Sequence, residues 1–325
     1  MLYQREDSEK VKKIFLRFEI ALLFLWSGNA LAQLGPTDDH LDPDFLQPQI
    51  TAGFSASSVR DFRDVEGTFG TRSMTLGGTF PLYQIREGGD GALTSYFLLG
   101  RGQLSSLNED ISFLPAPHTV YKPHVGVTAG IATTNHHLYL LTVGVGFSED
   151  QNTAGSPKLR ATGSLLGKYQ LDPSFAFIYG LSYSYVFNRG LLLPILGTHA
   201  SLGDSFTLHL ILPFSLGIDY REGKGLHFGF VVRASGDQIH IDESDYFGTQ
   251  TLPLYMKIAQ VQSGFGVAVL ISERVWIQGE AGVLSGRQFA IGTVREDLVS
   301  STVKNSGYSS LRLKFELDSV ESWAD

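Results

Sequence analysis

The sequence contains no cysteine, few charged residues and no long apolar run after its N-terminal part. Without cysteine, a disulfide framework is excluded, so an exported chain of this length needs a large core or a closed sheet for stability. Charged residues make up only 18% of the chain, and the net charge of −8 argues against a nucleic-acid partner. After Trp26 no apolar segment approaches the roughly 20 residues that a membrane-spanning helix needs.

The first residues of the chain have the pattern of an export signal. A basic stretch from Lys10 to Arg17 precedes a short apolar segment from Ile20 to Trp26. The box Ala30-Leu31-Ala32 then fits a signal-peptidase site, and no cysteine follows it for lipoprotein processing. We therefore expect a cleaved signal peptide, with the true start at Met1 or Val11 left open.

Bulky apolar residues alternate with small or polar residues along most of the chain after Gln49. The clearest run extends from Phe175 to Phe187, where Phe, Tyr or Leu occupies every second position. A period of two indicates strands with two different faces. Since only helices and closed barrels satisfy every backbone group in lipid, apolar strands behind an export signal favour a barrel over a soluble sandwich. The sequence predicts an all-β fold, a transmembrane antiparallel up-and-down β-barrel.

The runs and turns predict about fourteen strands. Twelve strands is the alternative, because Pro213 could mark a kink within one strand instead of a turn between two. Turns after even-numbered strands are short and most other connections are longer, as in barrels whose two ends are periplasmic. The expected domains are a signal peptide at 1–32, a periplasmic leader at 33–46, an outer-membrane β-barrel at 47–317 and a C-terminal tail at 318–325.

One part of the chain resembles a known family. The segments Leu193-Pro194-Ile195-Leu196-Gly197, Gly203 to Leu208, Leu212-Pro213 and Ile218 to Arg221 resemble an uncharacterised family of outer-membrane β-barrel proteins from Gram-negative bacteria. The resemblance implies a fold and a location, and no activity. Barrels of this kind often end on an aromatic residue, whereas here Phe315 is followed by ten further residues.

The strand phases place several ionisable side chains opposite the bulky face. Arg or Lys facing lipid near the middle of the membrane would cost about 2–4 kcal/mol each, so these residues are expected to face the lumen. Pairs such as Asp219 with Arg233 could simply satisfy one another there. The residues expected to line the lumen are Arg160, Lys168, His209, Asp219, Arg221, His227, Arg233, Glu280, Arg312 and Lys314.

Two classes of function remain open from the sequence. The first is a narrow porin-like passive channel for small solutes with a mild anion preference, and the second is a closed barrel that serves structure or surface contact. An outer-membrane hydrolase is a further alternative, although no nucleophile motif is recognisable. We expect no catalytic residues and no cofactor. We also expect no metal site, because the adjacent His136 and His137 would point to opposite faces of a strand. The expected partners are outer-membrane lipid and, during biogenesis, the barrel-insertion machinery, with the oligomeric state left open.

Overall fold

A computed structural model describes most of the chain that follows the predicted leader. The described residues are 48–86, 93–111, 119–133, 136–151, 158–186, 189–213, 215–223, 225–241, 254–292 and 297–317. The predicted signal peptide, the predicted leader up to residue 46 and the predicted tail lie outside these ranges.

The described residues form strands connected by turns and loops. Fourteen of the strands build the barrel wall: β1 (Gln49–Ser57), β3 (Gly67–Arg86), β4 (Leu93–Ile111), β5 (Thr119–Ala132), β6 (His137–Gly146), β8 (Arg160–Asp172), β9 (Phe175–Val186), β10 (Arg189–Leu202), β11 (Phe206–Leu212), β12 (Ser215–Glu222), β13 (Leu226–Ile241), β14 (Leu254–Ser272), β15 (Val275–Gly292) and β17 (Ser306–Glu316). Three short strands lie in the connections: β2 (Arg60–Asp61), β7 (Glu149–Asp150) and β16 (Asp297–Thr302).

The wall is closed, since each of its strands pairs antiparallel with its neighbours and β1 pairs with both β3 and β17. The predicted fourteen-stranded antiparallel barrel is therefore confirmed. Pro213 lies in the turn between β11 and β12, whose residues pair from Phe206 with Tyr220 to Ile211 with Ser215. The alternative of twelve strands, with a kink at Pro213, is excluded.

The outer face of the barrel is apolar. Leu76 is 63% exposed and Phe265 is 73% exposed, as expected for side chains that face lipid instead of a core. Among the described residues no helix is long and apolar enough to cross a membrane. Each wall strand exposes at least one large apolar side chain, and one example from each is Phe54, Met74, Leu98, Val125, Leu141, Leu165, Phe177, Leu192, Phe206, Ile218, Phe228, Phe265, Ile277 and Leu311.

The two ends of the barrel differ. At one end, here called the turn end, the strands are joined by short connections. The start of β1 and the end of β17 also lie there, with Gln49 opposite Glu316. At the other end, the loop end, most connections are longer. Here β7 pairs antiparallel with β5 and parallel with β13. Because β5 and β13 lie seven strands apart in either direction round the wall, β7 crosses the lumen and divides its loop end.

A bulge in β15 changes which of its side chains face inward. The register with β14 shifts between Ala259 and Val261, and Gly286 adopts a φ of 57°. Glycine reaches this left-handed conformation without the penalty that a Cβ atom brings. Even-numbered residues such as Glu280 therefore face the lumen before the bulge, and odd-numbered residues such as Arg287 and Phe289 face it afterwards.

Candidate functional site: the barrel lumen

The inner face of the wall changes in polarity along the barrel axis. On β4 the inward Ser95 and Phe97 near the turn end are buried, and from the middle of the strand to the loop end the inward residues are Arg101, Gln103, Ser105 and Leu107. This part of the inward row therefore passes from a charge through an amide and a hydroxyl to a buried apolar side chain. Toward the loop end the inward row of β14 likewise passes from amides to apolar side chains, with Gln262, Gln260, Ile258 and Met256.

Two cavities adjoin in the lumen. The larger of the two, here called the loop-side cavity, has a volume of about 280 Å³ and lies in the middle of the barrel. Four cationic side chains and one carboxylate line it, together with His124 and many hydroxyl and amide groups. The ion pair between Lys122 on β5 and Asp237 on β13 crosses the lumen on the turn-end side of β7. The charged lining residues are Arg101, Lys122, Arg233, Asp237 and Arg312.

The smaller cavity, the turn-side cavity, has a volume of about 180 Å³ and is lined mainly by β11 to β15 and β17. Arg233 and Arg312 line both cavities, so the two spaces adjoin along the lumen. Six of the residues expected from the sequence to line the lumen contribute to this cavity in addition to Arg312: His209, Asp219, Arg221, His227, Arg233 and Glu280.

A hydrogen-bonded group of four side chains stands between the cavities. The Arg233 guanidinium forms an ion pair with Glu280, and the Tyr308 hydroxyl donates a hydrogen bond to the same carboxylate. The Gln262 amide donates a further hydrogen bond to Glu280 Oε1 at 3.1 Å. These charge-assisted hydrogen bonds stabilise the Glu280 carboxylate inside the barrel.

The predicted pairing of Asp219 with Arg233 is wrong. Asp219 lies opposite Gly229 in the register of β12 and β13, whereas Arg233 lies opposite Ser215. Instead, the Asp219 carboxylate contacts His209 Nε2 at 3.1 Å, on the neighbouring strand β11. The four-residue difference in register places Asp219 nearer the turn end than the Arg233 guanidinium.

The remaining predicted lumen residues lie apart from the two cavities. Lys314 forms an ion pair with Glu316 at 3.2 Å near the turn end, and Lys168 is buried on the inner face of β8. Arg160 is 2% exposed and donates from Nη2 to the carbonyl oxygens of Gln238 and Ser148. Its position links β8 to β13 at the level where β7 crosses the lumen, which indicates a structural contact in place of a solvated charge.

The crossing is also held by a buried carboxylate. Glu149 on β7 is fully buried and accepts hydrogen bonds from His240 Nδ1 at 2.6 Å and from the Lys158 backbone N–H at 2.7 Å. These contacts join β7 to the end of β13 and to the start of the segment that leads into β8. The division of the loop end therefore rests on backbone pairing together with buried polar contacts.

Large apolar side chains fill the loop end on one side of this crossing. Phe62 packs against Phe289 with ring centroids 5.1 Å apart, and Arg287 lies 5.2 Å above the ring of Phe69. We call this group the mouth cluster. Its buried members are Phe62, Phe69, Leu107, Val120, Ile239, Ile241, Met256, Phe289, Ile291 and Val303.

Two members of the mouth cluster come from connecting segments and not from the wall. Phe62 and Val303 form an isolated β-bridge, and the Arg63 N–H donates to the Thr302 carbonyl at 2.8 Å. Outside the membrane-spanning strands, the exposed Lys304 ammonium holds the pKa of Asp61 below its usual range through an ion pair of 2.7 Å. Such an exposed pair contributes little stability, so the segments are held mainly by apolar packing and backbone bonds.

A second apolar group covers the inner face of the wall on the other side of the crossing. Ile178 and Ile195 are each only 1% exposed, and they pack with Leu140, Leu166 and Leu193. This part of the barrel interior is therefore filled by side chains.

Several interior residues were not predicted from the sequence, namely the apolar residues inside the barrel and Arg101, Lys122 and Asp237. The inward position of Arg101 follows from the alternation on β4, but the consecutive apolar residues Phe97, Leu98 and Leu99 obscure that alternation in the sequence. The mouth cluster had a weaker signal, because apolar residues on both faces of a strand near its end do not alternate. Among the described residues, no group of three His, Asp or Glu side chains could hold a metal ion.

Comparison with known proteins gives similarity at the level of overall architecture. The chain is similar to an outer-membrane channel from Pseudomonas putida F1, with a TM-score of 0.44 and 8% identity over 87% of this chain and 99% of that chain. It is also similar to the translocator domain of the autotransporter NalP from Neisseria meningitidis, with a TM-score of 0.35 and 13% identity over 88% and 94% of the two chains. The chain is similar as well to OccK7 from Pseudomonas aeruginosa, with a TM-score of 0.34 and 11% identity over 83% of this chain and 98% of that chain.

No family model and no curated protein matches the sequence. The resemblance to one uncharacterised family therefore has no support from family models. At TM-scores this low, the structural similarities carry no inference about activity, so the function must be inferred from the side chains of this barrel.

Proposed function

We propose that the protein is a narrow outer-membrane channel for small solutes with a mild anion preference. The observation that carries the proposal is the pair of adjoining cavities in the lumen, of about 280 Å³ and 180 Å³. Five cationic side chains and three carboxylates line these cavities, so the lumen carries an excess of positive charge although the whole chain is acidic. The cations are Arg101, Lys122, Arg221, Arg233 and Arg312, and the carboxylates are Asp219, Asp237 and Glu280.

The proposed location rests on the outer face of the barrel and on the predicted export signal. An apolar belt around all fourteen strands suits hydrocarbon, and closed barrels are the sheet structures that lipid tolerates. The proposed partners are therefore outer-membrane lipid and the barrel-insertion machinery. The proposed role is passive and non-catalytic.

The mouth cluster implies that passage is controlled at the loop end. Apolar constrictions in channels exclude water and ions until their side chains separate. Since Phe62 and Val303 belong to connecting segments, they can move without breaking the pairing of the wall strands. In this proposal the conformation described is the closed one, and openings are brief.

Ion selectivity tests the proposed function. In a planar bilayer with a salt gradient, the reversal potential of openings of the native protein should indicate a preference for chloride. Arg101→Gln with Arg312→Gln should abolish most of that preference, because both guanidinium groups line a narrow lumen where bulk salt, with a screening length of about 10 Å at 0.1 M, does not fully mask them.

Arg72→Gln provides the matched control for this experiment. It removes the same charge from an exposed position that faces outward on β3, so the reversal potential should be unchanged. Cation-selective openings of the native protein, or a double variant that keeps the native reversal potential, would contradict the proposal.

A closed barrel with a role in structure or surface contact is the second candidate. The observations that favour it are the mouth cluster and the crossing of the lumen by β7. Absence of current both in the native protein and in a variant with a weakened mouth cluster would favour this candidate over the channel.

A further inference from the structure

Two arginines converge on one patch of the loop-side cavity. Arg312 on β17 lies opposite Gly53 of β1, and Arg101 on β4 lies opposite Gly77 of β3. Since β1 and β3 are adjacent, only these two strands separate the strands that carry the arginines. Both guanidinium groups line the cavity and repel each other electrostatically.

Glycine leaves space for both arginine side chains. A Cβ atom at Gly53 would lie 3.7 Å from Arg312 Cγ, and a Cβ atom at Gly77 would lie 3.7 Å from Arg101 Cγ. The stems of the two arginines therefore lie over the glycines of the intervening strands. The same patch of wall carries the hydroxyl group of Thr75, which can donate a hydrogen bond, and that of Thr51, which donates to the Gly77 carbonyl oxygen at 3.5 Å.

The nearby carboxylates have cationic partners of their own. Asp237 pairs with Lys122 across the lumen, and Glu280 pairs with Arg233. An anion that entered the cavity would therefore meet the Arg101 and Arg312 patch without displacing a carboxylate from either pair. Its negative charge would also relieve the repulsion between the two guanidinium groups.

The loop side of the same cavity contains apolar side chains beside the ion pair of Lys122 and Asp237. Leu107, Ile258 and Leu284 line it, and Leu107 is also part of the mouth cluster. A ligand bound to the arginines would thus place its other end against aliphatic side chains. This combination of a cationic patch and an apolar wall distinguishes the cavity from a site for a simple inorganic ion.

We propose that the loop-side cavity binds a small organic acid, with its carboxylate at Arg101 and Arg312 and its apolar part against Leu107, Ile258 and Leu284. The inference rests on the proposed channel function and names the class of solute that the channel favours. Guanidinium groups bind carboxylates through paired, charge-assisted hydrogen bonds. The volume of about 280 Å³ suits one ring and one carboxylate, since an apolar cavity of roughly 150 Å³ already accepts benzene.

Three probes separate the parts of this site. Benzoate has both the ring and the charge, benzyl alcohol has the ring alone, and acetate has the charge alone. Titration calorimetry of the purified full chain in detergent should show binding of benzoate that is at least about tenfold tighter than that of either other probe, because only benzoate uses both halves of the site.

Variants test the role of the arginines. Arg101→Gln with Arg312→Gln should weaken benzoate binding by about tenfold or more, as expected for loss of charge-assisted hydrogen bonds. Arg101→Lys with Arg312→Lys keeps the charge and should recover part of the affinity, which a merely structural role would not predict. Arg72→Gln should bind benzoate like the native chain, because Arg72 faces outward.

Failure of this inference and failure of the channel proposal are distinguishable. Absence of benzoate binding, or equal affinity for benzoate and benzyl alcohol, would overturn the organic-acid site. Anion-selective current measured in the same protein would still support the channel. Equal affinity for acetate and benzoate would remove the apolar half of the site and overturn the stated ligand class. Benzoate binding without any current would support the site and overturn the channel.

Discussion

Replacing Leu104 by arginine should prevent stable insertion of the barrel, whereas replacing its neighbour Gln103 by arginine should not. Leu104 is 42% exposed on the outer face of β4, and Gln103 lines the loop-side cavity. An arginine that faces lipid costs up to about 2–4 kcal/mol, depending on its depth in the membrane, while one in a wet lumen retains its solvation. Gln103→Arg is a matched control because it adds the same residue at the adjacent position, on the opposite face of the strand.

Cell fractionation and gel migration before and after heating measure this difference. Native protein and Gln103→Arg should enrich in the outer membrane and migrate differently after heating, as stable barrels do. Leu104→Arg should lose both properties. Equal behaviour of the two variants would mean that the inside and outside of β4 are assigned incorrectly, and recovery of the native protein in the soluble periplasm would contradict the membrane location.

Weakening the mouth cluster should increase the open time of the channel, defined here as the fraction of the recording spent open, by about tenfold or more. Phe62→Ala with Val303→Ala removes buried apolar contacts from two connecting segments and changes none of the fourteen wall strands. Truncation of a buried phenylalanine to alanine costs about 3–5 kcal/mol, and about 1.4 kcal/mol of this acting on the closed state alone suffices for a tenfold shift in the ratio of open to closed states. Single-channel recording of the native and double-variant proteins provides the measurement.

Phe54→Ala is the matched control for that recording. Phe54 is 48% exposed on the outer face of β1, so its removal should leave the open time unchanged. Heat-modifiable migration of the double variant verifies that the wall remains folded. An unchanged open time in a folded double variant would show that the mouth cluster does not control passage.

The wall of the barrel could be predicted from the sequence, because the alternating runs and the turn residues between them indicate the same strands. The run from Phe175 to Val186 alternates cleanly, and its observed faces follow that alternation, with Phe177 exposed and Ile178 buried. The number of strands depended on Pro213, where composition alone favours neither a kink nor a turn. The pairing of β11 with β12 resolves this point, since it joins two strands that are short but fully paired.

The interior was harder to predict, because it depends on register and on contacts across the lumen. The pairing of Lys122 with Asp237 joins strands 115 residues apart in sequence, which no local pattern indicates. The bulge at Gly286 reverses the inward positions of β15, so a phase carried forward from Glu280 places Phe289 on the wrong face. The crossing by β7 involves only two residues and leaves no periodic signal.

The proposed channel requires a lumen that is accessible from the turn end and sealed at the loop end by the mouth cluster. Because the chain has no cysteine, single Ser73→Cys and Leu76→Cys variants can report access without interference. Ser73 lines the loop-side cavity, and Leu76 faces lipid. Access is measured as the rate at which a small sulfonated maleimide, which does not cross membranes, labels these variants in intact cells and in broken cells.

Ser73→Cys should be labelled slowly in intact cells, fast in broken cells, and fast in intact cells once Phe62→Ala and Val303→Ala are added. Leu76→Cys should remain unlabelled in every case. Fast labelling of Ser73→Cys in intact cells without the mouth changes would contradict a sealed mouth. Failure to label Ser73→Cys in broken cells would contradict a lumen that is open at the turn end.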